Sequence, residues 1–426
     1  MVFQQKNKTG YLRWMILSML LFATTINYLD RFILGILAPT LEKEIGWTEV
    51  QYSYIIMAFQ IAYGLGNIIM GYVIDRLGTR IGYAITIAIW SIASLSHVLA
   101  RSWVHFAISR FGLGIGEAGN FPAAIKTVAE WFPKKERAFA TGIFNSGSQI
   151  GIILASIIIP IIVIKFNWRY AFFVTFIFSL AWLILWLLFY ERPEKNKRIK
   201  KTELDYILSD SHDIENEKKI SWISLLKLKQ TWAIALAKLF SDPVWWFYLF
   251  WGAKFLNTKF GVDLHEIALP LIVIYAVADI GGISFGWLSS YLIKKNWGIN
   301  KARKFTLLIC AILVLPVSFL PYLDSMWVAI SLLALAAAGH CGWAANVFTL
   351  ASDIFPKKVV GSVVGIGATI STTGAAIASI GIGYALNESG LDGYKIPFLV
   401  ASVGYIFALI ILQNLVPKLK PLTIIK

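Results

Sequence analysis

The chain has 426 residues, of which 58% are hydrophobic, 15% aromatic and only 15% charged, and its mean hydropathy is +0.67. Soluble domains carry about 25% charged residues, so the composition excludes a water-soluble globular protein, and the length allows about twelve spans of ~20 residues joined by short loops. The net charge of +15 falls between apolar runs, as membrane orientation requires, so the expected partner is a lipid bilayer and not nucleic acid.

Apolar runs lie at 12–38, 50–74, 81–100, 103–130, 138–164, 168–190, 231–258, 266–292, 304–322, 326–353, 360–386 and 394–416. Almost every run is too long for a strand, and backbone groups in hydrocarbon must bond within their own segment, so helices are predicted. The expected class is an all-α polytopic membrane protein with twelve transmembrane helices. A basic start (Lys6, Lys8, Arg13) leads into the first run with no small-residue cleavage site before Pro39, which reads as a first span and not a removable signal.

Counted on alternate sides, about 28 of the 39 Lys and Arg fall on the side of the N-terminus and about 6 on the other, which predicts that both termini are cytoplasmic. The one long polar stretch, 191–230, opens Glu191-Arg192-Pro193-Glu194-Lys195 and divides an N-terminal six-helix bundle, 1–190, from a C-terminal one, 231–426. Cys310 and Cys341 sit in apolar runs without ligand spacing, so neither a disulfide framework nor a metal site is expected.

The halves repeat. Glu130-Trp131-Phe132-Pro133-Lys134-Lys135, followed by Gly142, returns as Asp353-Ile354-Phe355-Pro356-Lys357-Lys358, followed by Gly365, with Pro133 and Pro356 223 residues apart. Parallel six-helix repeats around a midplane cavity are a transporter design.

Between spans two and three the chain reads Gly71-Tyr72-Val73-Ile74-Asp75-Arg76-Leu77-Gly78-Thr79-Arg80. This resembles the G-x-x-x-D-R-x-G-x-R loop of the major facilitator superfamily. Asn27-Tyr28-Leu29-Asp30-Arg31, Arg110 to Ala118 and Phe144-Asn145-Ser146-Gly147 are similar to its anion:cation symporter family, and Asn120-Phe121-Pro122-Ala123-Ala124-Ile125-Lys126 most resembles the bacterial hexuronate transporters. The resemblance implies two six-helix bundles and proton-coupled import of a hexuronate, galacturonate or glucuronate, across the bacterial inner membrane by a monomer without cofactor. Other organic anions (galactonate, glucarate) and an uncoupled facilitator or transceptor are the alternatives. An enzyme is not expected, since no nucleophile-base spacing, phosphate loop or metal cluster is present.

Residue roles follow from charge where charge is expensive. Asp30, Arg31, Arg110 and Glu117 lie within apolar runs, where an ionised group costs at least ~2.5–3.5 kcal/mol on insertion scales. Arg110 and Glu117 are seven residues apart, which places them within ~20° of one helix face. Desolvation favours a neutral carboxyl and a nearby guanidinium favours a carboxylate, so the two effects compete at both acids. Arginine stays charged and can clamp a carboxylate but cannot carry a proton. Arg31 and Arg110 are therefore expected to hold the anion and Asp30 and Glu117 the protons. The alternative is a permanent intramembrane ion pair, weighted more toward Asp30 than Glu117.

Gln60, Tyr63 and Asn67 share a helical face in span two, as do Asn145 and Gln149 in span five. Tyr63 and Gln149 resemble family binding positions, and Asn346, Thr349, Ser371 and Thr372 are the expected counterparts in the second half. Gly71 and Gly78 are expected to allow close approach and a tight turn, with Asp75, Arg76 and Arg80 forming a cytoplasmic gate. By analogy with the family, Glu130 and Arg137 belong to the same latch. Pro243 predicts a kink in span seven with aromatic bulk beyond it, and Lys238 and Asp242 an i,i+4 pair. Glycines 112, 114, 116 and 119 are read as packing devices. Of the histidines (97, 105, 212, 265, 340), only His340 lies well inside a lining span, where a satisfied polar role is favoured over a proton relay.

Overall fold

A computed structural model describes residues 10–208, 222–420 and 422, with residues 134, 135, 138, 222, 223, 357 and 358 described by backbone alone. Lys6, Lys8, His212 and the middle of the 191–230 linker lie outside the described residues. Among those described the chain is helical, without strands. In chain order the helices are α1 (Leu12–Ile45), α2 (Glu49–Leu77), α3 (Thr79–Ser96), α4 (Trp103–Glu117), α5 (Asn120–Trp131), α6 (Lys134–Lys165), α7 (Trp168–Phe189), α8 (Lys201–Leu208), α9 (Trp222–Leu226), α10 (Lys229–Phe260), α11 (Ala268–Lys294), α12 (Ile299–Val314), α13 (Met326–Ile354), α14 (Lys357–Ser389) and α15 (Lys395–Leu415).

Local chemistry sets several ends. Thr48 and Gln51 form a reciprocal capping box at α2, Ser102 accepts from the His105 amide at α4, and Gly46 and Gly261 close α1 and α10 in the left-handed conformation. The fourth predicted run is broken into α4 and α5 at Ala118-Gly119, and the ninth ends in a 3₁₀ segment, Leu315–Tyr322. By length and composition, nine helical stretches among the described residues could each cross a membrane, one of them covering both α14 and α15. The remaining two of the twelve runs fail that measure for physical reasons. α4 and α5 are each short, and α10 mixes Trp and Tyr with Lys238, Asp242 and Lys254.

The helices form two sets. In the first, α1 packs on α6 and α7, α2 on α4, and α3 on α4 and α7; in the second, α10 packs on α14 and α15, and α13 on α11 and α12. The sets meet where α2 faces α14, α1 faces α10 and α6 faces α11. Glycines bring α4 close to its neighbours: a Cβ at Gly116 would fall 2.5 Å from the Trp90 nitrogen, and one at Gly114 2.5 Å from the Phe59 carbonyl. Two expectations separate at the motif loop. Gly78 has φ +80° and makes the turn into α3, whereas Gly71 has nothing within 4 Å and serves no close approach here, because it lines an open cleft. α10 runs unbroken through Pro243.

Candidate functional site

The site is built on α1 and the last turn of α4. Asp30 and Arg31 are adjacent, hence about 100° apart around α1, and address different neighbours. Arg31 turns to α4, where its Nε donates to Glu117 Oε2 at 2.9 Å. Its Nη2 donates to Asn27 Oδ1 at 3.2 Å, and Asn27 Nδ2 donates to the Glu117 carbonyl at 3.4 Å. Asp30 turns to α3 and α7: Ser94 Oγ donates to its Oδ1 at 2.8 Å and lies 3.1 Å from Thr175 Oγ1. The intramembrane ion pair therefore forms at Glu117 and not at Asp30, the reverse of the order weighed from sequence.

Four rings surround the Arg31 guanidinium. Tyr28 lies at 4.5 Å, Tyr63 at 4.7 Å, Phe59 at 5.4 Å and Trp246 at 5.5 Å. Such rings stabilise a cation electrostatically, by more when water is excluded. Trp246 comes from α10, so the cage is completed across the boundary between the two sets. Arg110 lies behind, 0% exposed, donating from Nη1 to the Arg31 carbonyl at 3.2 Å. Its Nε and Nη2, together with Glu117 Oε1 and Asp30 Oδ2, have no partner within the protein. Buried polar groups are ordinarily bonded, and these four atoms depart from that rule.

The other predicted lining residues are distributed less evenly. Tyr63 stands in the cage. Gln149 Nε2 reaches Cys341 Sγ at 3.7 Å across the boundary. Asn346 donates to the Gly342 and Phe285 carbonyls at 2.9 and 3.3 Å, leaving its Oδ1 buried without a partner. Thr349 and Thr372 bond back to Ala345 and Ala368, both at 2.8 Å, and no hydrogen bond joins either to Arg31 or Arg110. Gln60 accepts from Ser379 of α14 at 3.0 Å, while Asn67 bonds its own helix and Asn145 is exposed. His340 is satisfied by the Tyr405 hydroxyl at 2.6 Å and stacks on Trp245. Phe59, Glu42 and Glu49 were not singled out by sequence, since an isolated Phe or helix-end Glu gives no signal of its own.

The residues expected to form the gate lie at the end that carries both termini. Lys126 Nζ bridges Asp75 and the Ile74 carbonyl, both at 2.9 Å; Arg76 reaches the Tyr72 hydroxyl at 3.4 Å; Arg80 binds Glu191 and the Leu187 carbonyl, both at 2.6 Å. Glu130 accepts from Thr79 at 2.7 Å and from the Tyr190 hydroxyl, and Arg137 caps the Phe132 and Ala129 carbonyls at 3.0 Å. All of these bonds stay within the first set and the segment that leaves it, Tyr190 to Arg192. At the opposite end the sets are pinned together: Lys254 of α10 lies 2.5 Å from Glu42 and 2.7 Å from Glu49, the Tyr52 hydroxyl donates to the Phe250 carbonyl at 2.8 Å, and Tyr54 meets Tyr384 at 3.1 Å. Between the sets, toward the termini, a cavity of about 520 Å³ is lined by Asn67, Gly71 and Tyr72 on one side and Gly365, Ala368 and Thr369 on the other.

The sequence model of the Major Facilitator Superfamily matches residues 20–379. The chain is 34% identical over 360 residues to the hexuronate transporter of Escherichia coli K12, covering 83% of each, and 35% identical over 331 residues to the galacturonate transporter of Dickeya chrysanthemi, covering 76% of this chain and 96% of that one. More distant relatives are named as galactarate/D-glucarate and D-galactonate transporters. In fold it is similar to the crystal structure of a D-xylose-proton symporter, with a TM-score of 0.78 at 16% identity over 97% of this chain and all of that one. The chain is an integral membrane transporter and belongs to the Major Facilitator Superfamily.

Proposed function

We propose that this chain imports a hexuronate, galacturonate or glucuronate, together with protons, and that it does so by rocking residues 1–190 against 231–426 about the site, the 191–230 segment joining them. The observation that carries the reading is Arg110, buried with two unpartnered donors beside the Arg31–Glu117 pair. A planar guanidinium with free Nε and Nη2 offers the two parallel bonds that a carboxylate accepts. When Glu117 takes a proton it loosens its hold on Arg31, and both guanidiniums are then available to an anion. When the anion leaves, Arg31 reclaims the Glu117 carboxylate and the proton is released. Asp30, whose Oδ2 is free, is the second proton carrier, and Tyr63, Gln149, Asn346, Thr349 and Thr372 face the sugar hydroxyls.

Coupling has an energetic reason. Moving a monoanion into a compartment negative by 100 mV costs ~2.3 kcal/mol, close to fiftyfold in gradient, and one proton cancels that charge. In this reading both termini are cytoplasmic, the open cleft faces the cytoplasm, the gate at Asp75, Glu130 and Arg137 closes it, and the protein works as a monomer. One observation favours a second reading: Glu117 already has an arginine partner, as a fixed pair in an uncoupled facilitator would. Proteoliposomes holding the purified chain separate the two. Labelled galacturonate uptake driven by an inward proton gradient, with alkalinisation of the outside medium, is expected; uptake indifferent to a pH step would refute coupling.

A further inference from the structure

Lys238, Asp242 and Trp246 stand at i, i+4 and i+8 of α10 and so share one stripe. Trp246 is the ring that closes the Arg31 cage from the second set. Asp242 lies one turn away, a rise of about 6 Å, comparable with the length of a six-carbon acid. Its Oδ2 accepts from Lys238 Nζ at 2.7 Å and from Ser371 Oγ of α14 at 2.7 Å, and its Oδ1 from Ser241 Oγ at 3.3 Å. The next residue, Thr372, borders the boundary between the sets: a Cβ at Gly64 of α2 would meet its methyl at 3.7 Å. Of the ion pair, the carboxylate is the more exposed member, at 20% against 11% for the lysine, and the ammonium is held back over the Phe348 ring at 5.0 Å.

The α10 stripe that carries Trp246 to the Arg31 cage thus also carries an acceptor one turn away, with its compensating cation behind it. An acceptor takes hydrogen bonds from hydroxyls and repels a second carboxylate. We infer that Asp242, held by Lys238 and Ser371, makes this chain select sugar acids with one carboxylate over six-carbon diacids. The inference rests on the proposed sugar-acid transport and adds an end-group rule to it: the substrate carboxylate lies on Arg110 and Arg31, and its hydroxyl-bearing end lies against Asp242. With Asp242 neutral, the freed Lys238 would hold a second carboxylate instead.

The test is competition of labelled galacturonate uptake by D-glucarate in proteoliposomes, with binding followed independently by thermal shift. In the wild type glucarate should compete poorly. In Asp242→Asn its half-inhibiting concentration should fall by at least about tenfold, because like-charge repulsion gives way to an ammonium, and adding Lys238→Met should reduce the gain to the part that comes from the lost repulsion. Asp242→Ser makes the same prediction if the Asn variant does not fold. Unchanged glucarate competition in a variant that still binds galacturonate would overturn the inference, as would a wild type inhibited equally by both acids. A wild type that neither carries nor is stabilised by any sugar acid would instead overturn the transport reading on which the rule rests.

Discussion

Glu117→Gln tests the coupling at its centre. The change keeps side-chain size and a carbonyl acceptor but removes the group that can exchange a proton. The Arg31–Glu117 contact is 2.9 Å with side chains 4% and 0% exposed, a setting in which a bond between charged groups contributes about 1.5–3 kcal/mol and removal of one partner costs about 3–5 kcal/mol. The Gln carbonyl recovers part of that, so a loss of about 1–3 kcal/mol in stability is expected, small enough to leave a folded carrier. The functional effect is larger. Without an accompanying proton, an inside-negative potential of 100 mV opposes the monoanion about fiftyfold, so uphill accumulation of galacturonate in proteoliposomes should vanish while counterflow persists. Binding should hold or tighten, since Arg31 has lost a competing carboxylate. Undiminished uphill uptake by the variant would refute the assignment of Glu117 as proton carrier.

Arg110→Lys should weaken galacturonate binding by about tenfold or more, because an ammonium lacks the fork that Nε and Nη2 provide; an unchanged affinity in thermal-shift titration would place the carboxylate elsewhere. Asp30→Asn should alter the pH dependence of uptake, and an identical profile would mean that its bond to Ser94 is a fixed one. Lys254→Met leaves Glu42 and Glu49 facing each other without their shared cation, and after allowance for their partial exposure should shift the balance toward opening at that end by about 2 kcal/mol, or roughly thirtyfold. A single cysteine at Tyr54 should then react with an impermeant maleimide faster by about that factor, and an unchanged rate would show that the lysine is no latch. Gly71→Leu should leave binding intact yet stop transport, because the added side chain fills the cleft opposite Gly365 and Ala368; normal transport would mean that the cleft does not close there.

The helix count, the repeat and the two-set architecture were legible because hydrocarbon imposes long apolar runs whatever the tertiary structure. That Arg31, Arg110, Asp30 and Glu117 would be buried was legible from their place inside apolar runs. Partners were not. Which acid Arg31 meets depends on how α1 crosses α4, and the close α2 and α3 contacts at Gly114 and Gly116 that fix α4 are a tertiary fact. Periodicity put Gln60 with Tyr63 and Asn67 as one lining, yet Gln60 is taken by Ser379 and Asn67 by its own helix. The Lys254 ion pairs were invisible because Glu42 of α1 and Glu49 of α2 lie some two hundred positions away in the chain. The ion pair of Lys238 and Asp242, by contrast, is local and was read from i,i+4 spacing alone.

In the proposed mechanism the cage around Arg31 is also what would tie substrate and proton to movement. A ligand shifts a conformational equilibrium only through contacts that differ between the two states. Arg31, Glu117, Tyr28, Tyr63 and Phe59 all belong to the first set, so rocking of one set against the other would leave their mutual contacts unchanged. Trp246 is the exception: it belongs to the second set, 5.5 Å from the guanidinium, 6.0 Å from the Phe59 ring and 6.2 Å from the Tyr63 ring. If the sets separate there, Arg31 loses one face of its cage, worth about 0.5–2 kcal/mol, and leans harder on Glu117 or on an anion. In that mechanism, charge at Glu117 and an anion on Arg110 would then have different energies in the two states. Trp246→Leu should uncouple them, leaving galacturonate affinity within about threefold of normal, since the ring's direct share is small, while the ratio of uphill uptake to counterflow falls. A variant that binds and accumulates normally would show that the ring only fills space.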